Sequence, residues 1–121
     1  PVAMGVADDP AFADAMVSYK EGKYAEARSK WSPLLQMEPT DDTLRYFIAA
    51  SWLAEGDVAA ATPLLESLRM EQGSAFHARA NWYLFLAYVR AGEAAKARSI
   101  NLEQDTVYGD RVRSIKAQLG K

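Results

Sequence analysis

Gly22-Lys23-Tyr24-Ala25-Glu26-Ala27, Gly56-Asp57-Val58-Ala59-Ala60-Ala61 and Gly92-Glu93-Ala94-Ala95-Lys96-Ala97 are three versions of one pattern. The glycines lie 34 and then 36 residues apart, and an alanine follows each at the fifth position. In a helix-rich chain, a period of about 34 residues marks a helix-turn-helix repeat. Each glycine follows a helical pattern, where its left-handed backbone ends the helix.

Working outward, the chain parses into seven antiparallel helices with short turns. Residues 1–8 are aperiodic and read as a tail or linker. Asp9-Pro10 reads as a helix start, and Phe12, Ala15, Met16 and Tyr19 follow on one face. The second helix runs from about Tyr24 to Met37, with Pro33 expected to kink it or make its last turn irregular. The third, about Asp42 to Glu55, carries Leu44, Phe47, Ile48, Trp52 and Leu53. The fourth, about Val58 to Gln72, contains Pro63, another expected distortion. The fifth, about Ser74 to Ala91, is the most aromatic. The sixth, about Glu93 to Glu103, is weakened by Asn101, which stands where an apolar residue fits. The last, about Thr106 to Leu119, sets Tyr108, Val112, Ile115 and Leu119 opposite Arg111, Arg113 and Lys116. A polar outer face of that kind closes the end of a repeat stack. No period-2 alternation competes, so the fold class is all-α.

Composition narrows the function. The 121 residues are half apolar and a quarter charged, with a net charge of -2, enough to fill one core. A near-neutral chain exerts no general pull on nucleic acid or anionic membrane. Residues 1–42 hold eight acids and four bases, whereas residues 43–121 hold eight acids and ten bases. There is no cysteine, so disulfides and thiolate metal sites are excluded. No apolar run reaches the roughly 20 residues of a membrane span. The chain starts at Pro1 and not at Met, as expected of a processed product or a piece of a longer protein.

Chemistry-bearing motifs are sparse. His77 is the sole histidine, so a histidine-based metal site lacks partners; a helix-surface role is the expectation. No nucleophile-turn motif occurs. Gly22, Gly56 and Gly92 follow helices, unlike the glycines of phosphate-binding loops. Asp8-Asp9 and Asp41-Asp42 read as helix caps. Arg111, Arg113 and Lys116 make too small a basic face for nucleic acid. No enzyme activity, cofactor or metal is expected.

Laying the repeats over one another aligns Phe12, Tyr46 and Trp82, each ten residues before its glycine. Tyr19, Leu53 and Val89 form a second column, and Tyr24, Val58 and Ala94 a third. Tyr19 to Ala27, with Pro39 twelve residues on, and Ile48-Ala49 with Trp52 resemble the tetratricopeptide repeat family over residues 9 to about 104. The third copy departs: Phe85 stands where the family prefers a small residue, and Asn101 and Gln104 where it prefers apolar ones. The string Trp82-Tyr83-Leu84-Phe85-Leu86-Ala87-Tyr88 is also similar to repeat domains that Bacteroidetes-type bacteria attach behind a single membrane span. That likeness implies an extracytoplasmic or periplasmic tail of a membrane-anchored protein.

The family resemblance implies a right-handed superhelix of three helix pairs, at about 9–39, 42–73 and 74–104, plus a capping helix at about 106–119. It implies a concave, partner-binding face formed by Phe12, Met16, Tyr19, Lys20, Tyr46, Ala50, Leu53, Arg79, Trp82, Leu86 and Arg90. Aromatics beside cations suit such a surface, although an aromatic stripe at helical spacing is more often core. The family's clamp for chaperone C-termini needs asparagine where this chain has Met16, Phe47 and Ala50, so no chaperone-tail binding is expected. The expected function is non-catalytic protein or peptide binding. The alternative is a structural role through self-association, as a homo-oligomer.

Overall fold

The computed structural model describes residues 6–119. Among these the chain is all-α: α1 (Pro10–Lys20), α2 (Tyr24–Met37), α3 (Asp42–Ala54), α4 (Val58–Arg69), α5 (His77–Arg90), α6 (Ala94–Arg98) and α7 (Gly109–Leu119). Residues 1–5 of the expected tail lie outside the described residues. Val6–Asp8 form one 3-10 turn, and Val6 is buried in the first core. Neither Pro33 nor Pro63 ends its helix, and both prolines are exposed.

The glycine pattern does the same job three times. Gly22, Gly56 and Gly92 have φ of 80°, 82° and 75°. At each, the following residue donates its N–H to a carbonyl five positions back: Lys23 to Ser18 at 2.8 Å, Asp57 to Trp52 at 2.9 Å and Glu93 to Tyr88 at 2.9 Å. This satisfies carbonyls that a helix end would otherwise leave open. The alanines five positions on, Ala27, Ala61 and Ala97, are all fully buried.

Two compact units divide at Leu64 and Leu65, within α4. In the first, Val6, Phe12, Ala15, Ala27, Trp31, Leu44 and Ile48 form a buried cluster, flanked by Tyr19, Phe47, Trp52 and Leu64. Phe12 lies 6.0 Å from Trp31 and 6.1 Å from Phe47, centroid to centroid. Arg28 of α2 crosses to α3: it donates to Ser51 Oγ at 3.0 Å, pairs with Glu55, and lies 3.5 Å from the centre of the Trp52 ring.

The second unit buries Leu65, Leu68, Leu84, Phe85, Ile100, Leu102 and Val112. Phe85 is fully buried despite its bulk. The Tyr88 hydroxyl donates to Glu66; burial, then this carboxylate, push the phenol up to about 12.

Helix α4 ends at Arg69, three residues short of the expected Gln72, where Glu71 N donates to the Leu68 carbonyl at 3.0 Å in a closing turn. Three other boundaries differ from the sequence expectation, each for a local reason. Helix α5 begins at His77 because Ser74 opens a turn first, its Oγ accepting from Phe76 N at 3.0 Å. Helix α6 stops at Arg98. Lys116 Nζ donates to the carbonyls of Arg98 at 3.1 Å and Ile100 at 2.7 Å, which a longer helix would have used internally. Beyond it Ile100 and Leu102 are buried while Asn101 is exposed. Helix α7 begins at Gly109 because Asp105 Oδ2 accepts from Val107 N and Tyr108 N, at 2.9 and 2.8 Å, in a turn ahead of it.

Candidate interaction surface

The structure sorts the residues nominated from sequence into two groups. Phe12, Tyr46 and Trp82, the aligned aromatic column, are all buried. Phe12 packs on Trp31 and Phe47, Tyr46 meets Phe47 edge-on at 5.2 Å, and Trp82 is covered by Tyr108. Met16, Tyr19, Ala50, Leu53 and Leu86 are half-buried; Lys20, Arg79 and Arg90 are exposed. The aromatic column is therefore packing material in this structure, and the accessible nominees lie beside it.

Within the second unit, α5 gathers four accessible residues on one face. At 3.6 residues per turn, Arg79, Tyr83, Leu86 and Arg90 fall within an arc of about 60°. Arg79, Tyr83 and Arg90 are exposed and Leu86 is half-buried, whereas the opposite side (Asn81, Leu84, Phe85, Tyr88) is buried. Tyr83 was not nominated from the sequence. Its signal was present in the 4-3-4 spacing of Arg79, Tyr83, Leu86 and Arg90, which repeats the spacing of a helix-contact seam.

One flank of this stripe is built by the segment before α7. Tyr108 stacks on Trp82, with centroids 5.1 Å apart and planes within 12°. The Arg111 guanidinium stands 5.9 Å from the Trp82 ring centre, and neighbouring Val107 is 72% exposed. The stripe thus sets Tyr83 and Leu86 between Arg79 and Arg90 along α5, with Arg111 beside Trp82 on its flank. Helix α5 contains no carboxylate.

Two other clusters carry chemistry-bearing atoms. Ser18 Oγ donates to Glu26 at 2.7 Å and accepts from Lys30 Nζ at 3.0 Å; Lys30 also pairs with Asp14 at 3.1 Å. The hydrogen bond from the Ser18 hydroxyl holds the Glu26 carboxyl below its ordinary value of 4.5; desolvation opposes it, and the nearby Lys30 and Lys23 charges add to the lowering. Ser18 is 2% exposed, so the serine-lysine contact ties α1 to α2 and offers no substrate a path to its oxygen. His77 lines an open groove of about 450 Å³ with Ala78, Asn101, Leu102, Glu103, Gln104 and Asp105. Its Nε2 lies 3.2 Å from the Asn81 amide nitrogen, and its Nδ1 is buried without a hydrogen-bond partner. Glu103 is engaged by Lys116 and Asp105 by its own turn. Among the described residues no group of three His, Cys, Asp or Glu side chains could hold a metal ion. No described helix is long and apolar enough to cross a membrane.

The chain matches no protein-family model, no curated protein and no solved structure at a significant level.

Proposed function

We propose that this domain is a non-catalytic, tetratricopeptide-like module that binds a protein or peptide partner through the outer face of α5. The observation that carries the reading is the stripe of Arg79, Tyr83, Leu86 and Arg90, left accessible on a helix whose opposite side is buried. A tyrosine and a leucine between cations bury apolar area at low entropic cost while the cations orient the partner. The family reading draws support from the three matching helix terminations at Gly22, Gly56 and Gly92 and the buried alanines after them. In that reading the helix pairs belong to a right-handed superhelix. The extracytoplasmic, membrane-anchored setting is part of the same proposal and rests on the residue pattern of α5.

The test uses exposed positions, because substituting Trp82 or Tyr46 would damage packing. A random peptide library is selected on the immobilised domain, and binders are measured by fluorescence anisotropy against Tyr83→Asp and Leu86→Asp. Binders that weaken more than about tenfold, a loss of about 1.4 kcal/mol, support the reading. Failure to select binders, or binders indifferent to both changes, rejects it. A concentration-dependent dimer in light scattering that Leu86→Asp abolishes would assign the face to self-association.

A further inference from the structure

We infer that the partner segment seated on the α5 face is an acidic amphipathic helix; this rests on the binding role proposed for that face. Three features of the surface select this occupant.

The first is charge. Arg90 is exposed at the C-terminal end of the stripe, and Arg111 stands on the flank beside Trp82. With no carboxylate on α5, a basic segment would meet like charges at these two arginines. A segment carrying carboxylates there would meet opposite ones.

The second is backbone accounting. The centre of the stripe offers a leucine and an aromatic ring, and the backbone of α5 is committed to its own helix. An extended segment laid across Leu86 would bury amide and carbonyl groups with nothing there to pair them, at a cost for each group. A helix brings its backbone already paired.

The third is spacing. Side chains at 79, 83, 86 and 90 form a ridge of three- and four-residue steps, into which another helix with the same steps packs its own.

The experiment selects random peptides of about 16 residues, long enough as a helix to span the stripe, on the intact domain. Selected peptides are expected to carry Asp or Glu flanking apolar residues at i, i+3, i+4 and i+7. They are expected to gain helical circular dichroism on binding and to weaken at least tenfold with Arg90→Glu or Arg111→Glu. Raising salt weakens them further. Equal urea midpoints for these exposed-site variants and the parent show that binding, not folding, is read. Peptides that depend on Tyr83 and Leu86 but are basic, neutral or extended overturn this inference while the binding role stands. Peptides indifferent to Tyr83→Asp and Leu86→Asp, or an empty selection, overturn both.

Discussion

Tyr108 lies flat on Trp82, 5.1 Å between ring centres and 12° between planes, and so covers the last of the three aligned aromatics. In the first unit Phe47 has the corresponding relation to Phe12, edge-on at 6.1 Å. In both units an aromatic near the start of a repeat is closed over by a residue from farther along the chain. What α5 leaves accessible is therefore not Trp82 but its neighbours on the helix, Arg79, Tyr83, Leu86 and Arg90.

Substitution separates the two roles. Trp82 is 8% exposed and Tyr83 is 37% exposed, although they are neighbours in sequence. Trp82→Ala is expected to cost about 3–5 kcal/mol of unfolding free energy, the range for deleting a buried aromatic. Tyr83→Ala is expected to change stability by no more than about 0.5 kcal/mol. Urea unfolding followed by circular dichroism reads both, and equal losses would contradict this division.

The turn glycines make a sharper comparison. An added Cβ at Gly22, Gly56 or Gly92 meets nothing within 4 Å, so crowding is not the constraint. Their positive φ is, and alanine there is expected to cost about 1–2 kcal/mol each. Gly73 is equally uncrowded but lacks positive φ. Gly73→Ala should leave stability unchanged or raise it by about 0.4–1 kcal/mol through the unfolded chain. Thermal melts of the four single variants check the order. A melt in which Gly73→Ala falls as far as Gly56→Ala would show that the backbone argument is wrong.

Those glycines also show what was legible in the chain. A left-handed residue at a helix end and a small residue five positions on are local requirements, so spacing alone exposed them, along with the order of the helices. The length of α6 was not legible, because its end is set by Lys116, eighteen residues beyond Arg98. The fate of Trp82 was equally remote, since it depends on a ring 26 positions later. Val6 looked like part of an aperiodic tail because one residue carries no period, yet it is buried. For the interaction surface, Arg79, Leu86 and Arg90 were legible as helical-face residues. Tyr83 was not, because it stands one residue off the position at which Phe12, Tyr46 and Trp82 align, and the fold uses that position for packing.

Arg28 is expected to matter more than a surface cation. Its side chain is 14% exposed, and it combines a carboxylate, a buried serine hydroxyl and an aromatic face. Arg28→Ala should cost about 1–3 kcal/mol, since the buried Ser51 hydroxyl loses a donor and Trp52 its cover. Arg28→Lys should recover only part, because an ammonium cannot reproduce the planar fork. A double-mutant cycle with Trp52→Leu isolates the stacking. A coupling energy indistinguishable from zero would remove stacking from the account.

At high pH, Tyr88 should ionise late. Its phenol is pushed up to about 12 from an ordinary value of 10.0, first by burial and then by the hydrogen bond to Glu66. A raised folded value means that the neutral phenol is favoured by folding. The associated stability is complete below about pH 10 and is lost as pH climbs toward about 12. Ultraviolet titration of phenolate in folded protein should show a late component that Tyr88→Phe removes and Glu66→Gln moves downward. A titration in which Tyr88→Phe removes no late component would contradict the burial argument.

At low pH the junction of α6 and α7 should loosen. Lys116 Nζ donates to Glu103 at 2.8 Å as well as to the Arg98 and Ile100 carbonyls. The hydrogen bond from Lys116 holds the Glu103 carboxyl below its ordinary value of 4.5, although desolvation opposes it. A depressed folded value means that the ionised form is favoured by folding. The stability it contributes is complete above the unfolded value near 4.5 and drains away as pH falls through the folded value. Glu103→Gln should therefore remove the modest stability of a partly exposed pair at neutral pH and make no further difference at acid pH, so the acid limb of the stability profile below about pH 4.5 is flatter. Lys116→Met should do more, because it also strips the donor from two carbonyls and loosens the end of α6. Hydrogen exchange at Leu102 and Val112 across pH 3 to 7 reads the junction directly. Protection factors at these amides, which remove the intrinsic pH dependence of exchange, that stay constant across this range in the parent would show that the Lys116–Glu103 pair does not fasten α7.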